Sequence, residues 1–149
     1  MGITLAIAIP NFKTLITSIR LTNAANNMVS ALQIAKSEAI KSNSFVSIIP
    51  NPMWKNGWGV KKQITNEPPI SLFEPLNAGY TVQPQIPPIS DITYRPDGRI
   101  AQNKEVVFYF CSPASTAAFR EVTINATGRV KVLNPNTNTK PSYSEVCKA

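Results

Sequence analysis

The sequence predicts an α+β domain, one long N-terminal helix laid on an antiparallel β-sheet of hairpins. Three observations carry this reading. Apolar residues recur at steps of three and four through the first forty or so positions, the spacing of a helix face. Prolines and glycines gather after Pro50, thirteen and six in the whole chain, and divide the remainder into short β-patterned runs. The stretch from Arg120 to Leu133 alternates with period two across a Gly-containing turn, the pattern of a hairpin. At 149 residues the chain is long enough to bury a core, and one domain is expected.

The helix is expected over Gly2 to Asn43. Its opening Ile3–Ile9 run is strongly apolar but much shorter than the ~20 residues a spanning helix needs. Pro10 is tolerable with a kink. Leu5, Ile9, Phe12, Ile16 and Ile19 form one stripe. Leu21, Ala25, Met28, Leu32, Ala35 and Ala39 form a second from a new origin, because Ile19 to Leu21 is a step of about 200° around the axis. The apolar side therefore changes near Arg20, and the two halves need different partners. The simplest arrangement is that residues 1–20 pack on something else and that 21–149 form the globular domain, with a polar tail over 134–149.

Asn43-Ser44 ends the helix, and Phe45–Ile49 reads as a first strand broken by Pro50-Asn51-Pro52. An Asn56-Gly57 turn leads into a second strand from Trp58, so these two form a hairpin with a tryptophan over the helix. Between Asn66 and Pro88 only Gly79–Val82 is strand-like. Asp91–Arg95 is a short strand, followed by a Pro96-Asp97-Gly98-Arg99 turn. Glu105–Cys111 is the strongest strand, continuous enough to be central. The last hairpin places Val122, Ile124, Val130 and Val132 on one face, and Arg129 and Lys131 on the other.

Lys and Arg outnumber Asp and Glu by 15 to 8, a formal charge of +7 that favours an anionic partner. There is no histidine, which removes His triads and His metal sites. The two cysteines, Cys111 and Cys147, lack zinc-ligand spacing and form either one bridge or two free buried thiols. No Gly-rich phosphate loop follows a strand, and the acids are scattered, so no enzyme activity and no cofactor are expected. What remains is surface. From Arg120 to Ala149 the chain carries five basic residues (Arg120, Arg129, Lys131, Lys140 and Lys148) against two acidic ones. Arg129 and Lys131, two apart, can touch phosphates along one track without reading sequence. From charge alone a solvated strand face is the favoured reading.

The apolar run with Pro10 and Phe12 resembles the later part of the type IV pilin N-terminal helix. Arg20-Leu21-Thr22 and the Ala31–Lys41 phrase, ending Ala35-Lys36-Ser37-Glu38-Ala39, resemble the helix of FimT-like and GspH-like minor pilins. Gly57-Trp58, the Tyr94–Arg99 turn, Phe110-Cys111 and Gly128-Arg129-Val130-Lys131 are similar to the family's strands in order. The resemblance spans nearly the whole chain and implies a type IV pilin-like fold. The family's leader peptide and opening helical run are missing, and no secretory signal stands at Met1-Gly2, so the start reads as truncated. The resemblance implies inner-membrane residence before assembly, through that missing segment, and packing against other pilins through the N-terminal helix afterwards, in an extracellular pilus.

FimT-like members are associated with DNA uptake in natural transformation through a Gly-Arg-x-Arg motif. By resemblance, Gly128, Arg129 and Lys131 are the DNA-binding candidates, joined by Arg120, Lys140 and Lys148 on charge. Lys131 stands in the motif's second arginine position, keeping the charge and losing the bidentate fork. Two functions therefore stand: a minor pilin binding double-stranded DNA non-specifically, or a structural subunit priming or capping a type IV pilus or type II secretion pseudopilus. A Cys111–Cys147 bridge is expected, holding the basic tail against the strongest strand.

Overall fold

In the computed structural model, residues 8–64, 66–84, 89–134 and 141–147 are described, with side chains from residue 11. Helix α1 runs Ala8–Ser42. It stops where Asn43 turns left-handed (φ 48°) and the Ser44 N–H returns to the Ala39 carbonyl at 3.1 Å, satisfying a terminal acceptor. The expected helix over Gly2–Ile7 lies outside the described residues.

The stripe read from 21 onward is the inner face of α1. Leu21, Ala25, Met28, Leu32, Ala35 and Ala39 are all buried, and the alanines let the helix axis sit close to the strands beneath. The face changes as the spacing predicts. Phe12, Leu15 and Ile19 are 63%, 55% and 50% exposed, so half of the helix offers apolar surface that this domain does not cover. Ile16, on the same sequence stripe, is half-buried.

Among the described residues eight strands follow, in two sheets rather than the single sheet of hairpins expected. The first is ordered β3-β2-β1-β5, from β1 (Val46–Pro50), β2 (Trp58–Lys62), β3 (Ser71–Phe73) and β5 (Ile92–Tyr94). The second is ordered β4-β6-β7-β8, from β4 (Thr81–Pro84), β6 (Val106–Cys111), β7 (Phe119–Ile124) and β8 (Val130–Leu133). The division follows from the chain's crossings. After β3 it leaves the first sheet, adds β4 beside β6, and returns for β5, so two strands adjacent in sequence order lie in different sheets.

β3 was not anticipated. It is three residues long, follows Pro68-Pro69, and owes its form to pairing with β2 (Trp58↔Phe73) rather than to its own composition. The β1–β2 hairpin is present, but its connection is a 3-10 turn (Trp54–Asn56) ending at Gly57 with φ 90°, wider than a two-residue Asn-Gly turn. β6 is an interior strand, as its apolar continuity suggested. α1 packs across both sheets, onto Val46, Ile48, Val60, Ile92 and Tyr94 of one and Phe108, Phe110, Val122 and Ile124 of the other. Val132 lies opposite Val122 on the inward face as expected, yet 41% of it is exposed, because β8 is an edge strand.

The far face of β6–β7 has its own small core of Tyr109, Cys111, Phe119 and Val146. Its lid is a one-turn helix, α2 (Tyr143–Val146), in the stretch expected as a polar tail tied back by Cys147. The Cys111–Cys147 disulfide ties it down, with Cα atoms 5.8 Å apart. Tyr143 donates its hydroxyl to the Ser112 carbonyl at 2.6 Å, and Glu145 accepts from the Ser142 N–H at 2.6 Å.

Candidate nucleic-acid interface

Two turns and one stretch of helix meet at the end of the domain remote from the exposed half of α1. The first turn follows β5. Arg95 N–H donates to the Arg99 carbonyl at 2.8 Å, and Gly98 takes φ 80° at its tip. A Cβ at Gly98 would stand 3.1 Å from Ile40 Cδ1 and 3.3 Å from Lys36 Cε, so this turn lies directly on α1. The second turn joins β7 to β8. Gly128 takes φ 79°, and its missing Cβ would overlap the Gly98 carbonyl oxygen and stand 2.8 Å from Tyr94 Cε1. Tyr94 donates its hydroxyl to the Gly128 carbonyl at 3.3 Å. The glycines of the two Gly-Arg pairs are thus packed against each other; Gly128 has no room for a Cβ, and the left-handed backbone at both favours glycine.

This stacking leaves Arg99 and Arg129 exposed on adjoining turns. Asn125 spends the backbone donors of the second turn: its carbonyl accepts from the Gly128 N–H at 2.8 Å, and its Oδ1 from the Arg129 N–H at 2.9 Å. Any anion there meets side chains rather than a nest of backbone amides. Lys131 is exposed on the outward face of β8, opposite Thr123. Asp97, the acid nearest in sequence, is engaged by Arg95 at 3.4 Å, and Glu38 by Lys62 at 3.2 Å. Among the described residues, Arg99, Arg129 and Lys131 make no ion pair.

Gly128, Arg129 and Lys131 therefore stand together, and Arg120 stands apart. Arg120 lies opposite Phe110 at the start of β7, on the face that also carries Val122 and Ile124. Its guanidinium donates to the Ser18 hydroxyl and the Phe119 carbonyl, both at 3.0 Å. Its Nε is buried without a partner, and burial lowers its pKa. Ser18 and Lys36 are 18 residues apart on α1, roughly 27 Å along a helix axis. Arg120 therefore sits against the first half of α1, held by Ser18 and the Phe119 carbonyl, well away from the two Gly-Arg turns. Lys140 and Lys148 lie outside the described residues. Sequence reasoning passed over Arg99 and Lys36 as site residues, although the Gly98-Arg99 turn and the Ala35–Ala39 phrase were both visible.

Among the described residues no helix is long and apolar enough to cross a membrane. The family model for the type II transport protein GspH matches residues 24–128. The type IV minor pilin FimU of Pseudomonas aeruginosa superposes with a TM-score of 0.67 at 23% identity, covering 83% of this chain and 94% of that one. The minor pseudopilin EpsH from the type 2 secretion system of Vibrio cholerae superposes with a TM-score of 0.59 at 12% identity, covering 78% of this chain and 98% of its own. A search of curated sequences gives no match. Both structural neighbours have this arrangement of helix and sheets, a type IV pilin-like fold. The chain belongs to the GspH family of minor pilins and pseudopilins.

Proposed function

We propose that this minor pilin binds double-stranded DNA without sequence preference through the basic end built by Gly98-Arg99 and Gly128-Arg129-Val130-Lys131, and so serves DNA uptake in natural transformation. The observation that carries the reading is the packing of the two Gly-Arg turns. It brings Arg99 and Arg129 onto adjoining turns, with Glu38 held by Lys62, while Asp97 stays within the first turn, held by Arg95 and the Arg99 N–H. Such a surface suits the regular negative charge of a duplex and would read phosphates, not bases. Lys131 contributes a point charge rather than a fork. The exposed half of α1 contacts other pilins in the filament, and the segment preceding it lies in the inner membrane before assembly.

The test is a mobility-shift titration of the domain with duplex DNA at several salt concentrations. Binding should weaken steeply as salt rises. The double substitution Arg129→Ala with Lys131→Ala should lower the log–log salt slope by about two. Absence of binding at low salt, or no effect of the double substitution, would leave the second reading. That reading is a structural subunit that primes or caps a pilus or pseudopilus, and it uses the exposed Phe12, Leu15 and Ile19 in the same way.

A further inference from the structure

We propose that the cleft between α1 and the β7–β8 turn is a preformed site for one phosphate group, with Lys36 as a ligand beside Arg129. The cleft has a volume of about 230 Å³ and is lined by Gln33 and Lys36 of α1, Tyr94 of β5 and the Gly128–Val130 segment. It is smaller than the roughly 300–1,000 Å³ of pockets for drug-sized ligands, which suits a group the size of a phosphate. Its lining contains two cations and no acid. Glu38, two residues from Lys36, is drawn to Lys62, and Lys36 makes no ion pair among the described residues. Two like charges facing one cleft repel each other, and an anion between them would relieve that repulsion.

The walls are also fixed. Lys36 Cε lies against the Gly98 turn, the Gly98 carbonyl oxygen against Gly128, and Tyr94 is hydrogen-bonded to the Gly128 carbonyl. The frame around the cleft is thus set before binding, and the freedom given up is that of the Lys36, Arg129 and Gln33 side chains alone. With the Gly128 and Arg129 N–H groups already spent on Asn125, the ligands are Lys36 Nζ, the Arg129 guanidinium and the Gln33 side-chain amide. The chemistry is that of a phosphate oxygen, from a DNA backbone or from free phosphate. Only the first source rests on the function proposed above.

Two probes separate the sources: a short DNA duplex and inorganic phosphate, each titrated into isotope-labelled protein and followed by NMR. Lys36→Gln and Lys36→Arg are compared with the unaltered chain, with a thermal melt confirming that each is folded. The duplex should move the signals of Gln33, Lys36 and Arg129. Lys36→Gln should weaken it roughly fivefold and lower the salt slope by about one, and Lys36→Arg should restore both. A duplex that binds Lys36→Gln as it binds the unaltered chain overturns the site while leaving DNA binding intact. If the duplex fails to bind but inorganic phosphate moves the same signals, and Lys36→Gln abolishes that, the cleft stands and the DNA function falls. If neither probe binds, both fall.

Discussion

Replacing Gly128 by alanine separates what the Gly-Arg pair does for folding from what it does at the surface. Two costs follow from the structure. At φ 79° the residue is left-handed, which costs a non-glycine residue about 1–2 kcal/mol. The new methyl would overlap the Gly98 carbonyl oxygen and approach Tyr94 Cε1 to 2.8 Å, and the backbone oxygen cannot swing aside as a side-chain end can. Overpacking of that kind costs about 1–3 kcal/mol, for a total of about 2–5 kcal/mol. At roughly 2–4 °C per kcal/mol for a chain of this size, the melting temperature should fall by roughly 4–20 °C. Urea unfolding followed by tryptophan fluorescence measures this directly. Gly59→Ala is the control: its φ lies outside the left-handed region, and its new methyl would crowd Leu72 Cδ2 at 3.1 Å, the free end of an exposed side chain, with the Ser71 carbonyl oxygen and Pro69 Cβ at ordinary contact of 3.8 and 4.0 Å. It should cost less than about 1 kcal/mol. Arg129→Ala, one residue along, should change stability by no more than about 0.5 kcal/mol while impairing duplex binding. A Gly128→Ala variant within about 1 kcal/mol of the unaltered chain would refute the packing argument, and with it the claim that the two turns support each other.

Reducing the Cys111–Cys147 bridge, or Cys147→Ser, frees a loop with a sequence separation of 36. Chain entropy puts the loss near roughly 4 kcal/mol, read as a lower urea midpoint. Because the bridge holds α2 over Tyr109 and Phe119, the reduced chain should also bind a hydrophobic dye that the oxidised chain does not. Arg120→Met should leave duplex binding unchanged, since the residue serves the α1–β7 contact; urea melts should show a shift within about 1 kcal/mol, because the lost hydrogen bonds are offset by removing a buried charge. Alkaline pH should destabilise the fold. Burial raises the pKa of Tyr94, and burial followed by the Glu121 charge raises that of Tyr109. Both are held neutral in the folded state, so their contribution is whole below the ordinary tyrosine value of about 10 and is lost as pH rises through the raised values. Thermal melts between pH 8 and 12 should show this decline beginning near 10, and a flat profile there would contradict it.

Where burial is periodic, the structure was legible in advance. The two stripes of α1, their change near Arg20, the central β6 and the last hairpin all follow from which side of an element is apolar. What escaped is what neighbours impose. β3 has three residues and no pattern of its own, and exists because β2 offers an edge. α2 is a single turn, too short for periodicity, although Ser142 three residues before Glu145 is a helix-start pattern that the sequence did contain. The division into two sheets depends on where the chain crosses between them, and no local signal records a crossing. The same limit applied to the basic residues. Counting charges along the hairpin joined Arg120 to Arg129, whereas the register carries Arg120 to Phe110 and the far end of the sheet. It also hid Lys36, which nothing in the local sequence marks and which only the packing of the Gly98 turn on α1 brings beside Arg129.

The length of α1 explains why one small domain can carry two surfaces. Phe12, Leu15 and Ile19 form the exposed apolar group of the first half of α1 (Ile40, also exposed, lies at the Gly98 turn), and Lys36 lies 17 residues beyond Ile19, about 25 Å along the axis. That is well past the distance at which substitutions usually interact, and beyond the screening length of about 8 Å at physiological salt. Charge at the basic end therefore does not reach the apolar face, and whatever packs on the apolar face does not cover the two Gly-Arg turns. A helix whose inner face ended at the same place as its outer face would have had to share one surface between both partners. Moving the origin of the stripe at Arg20 avoids this. It assigns the first half of the helix to a partner outside the domain and leaves the second half to hold the turns that position Arg99, Arg129 and Lys36.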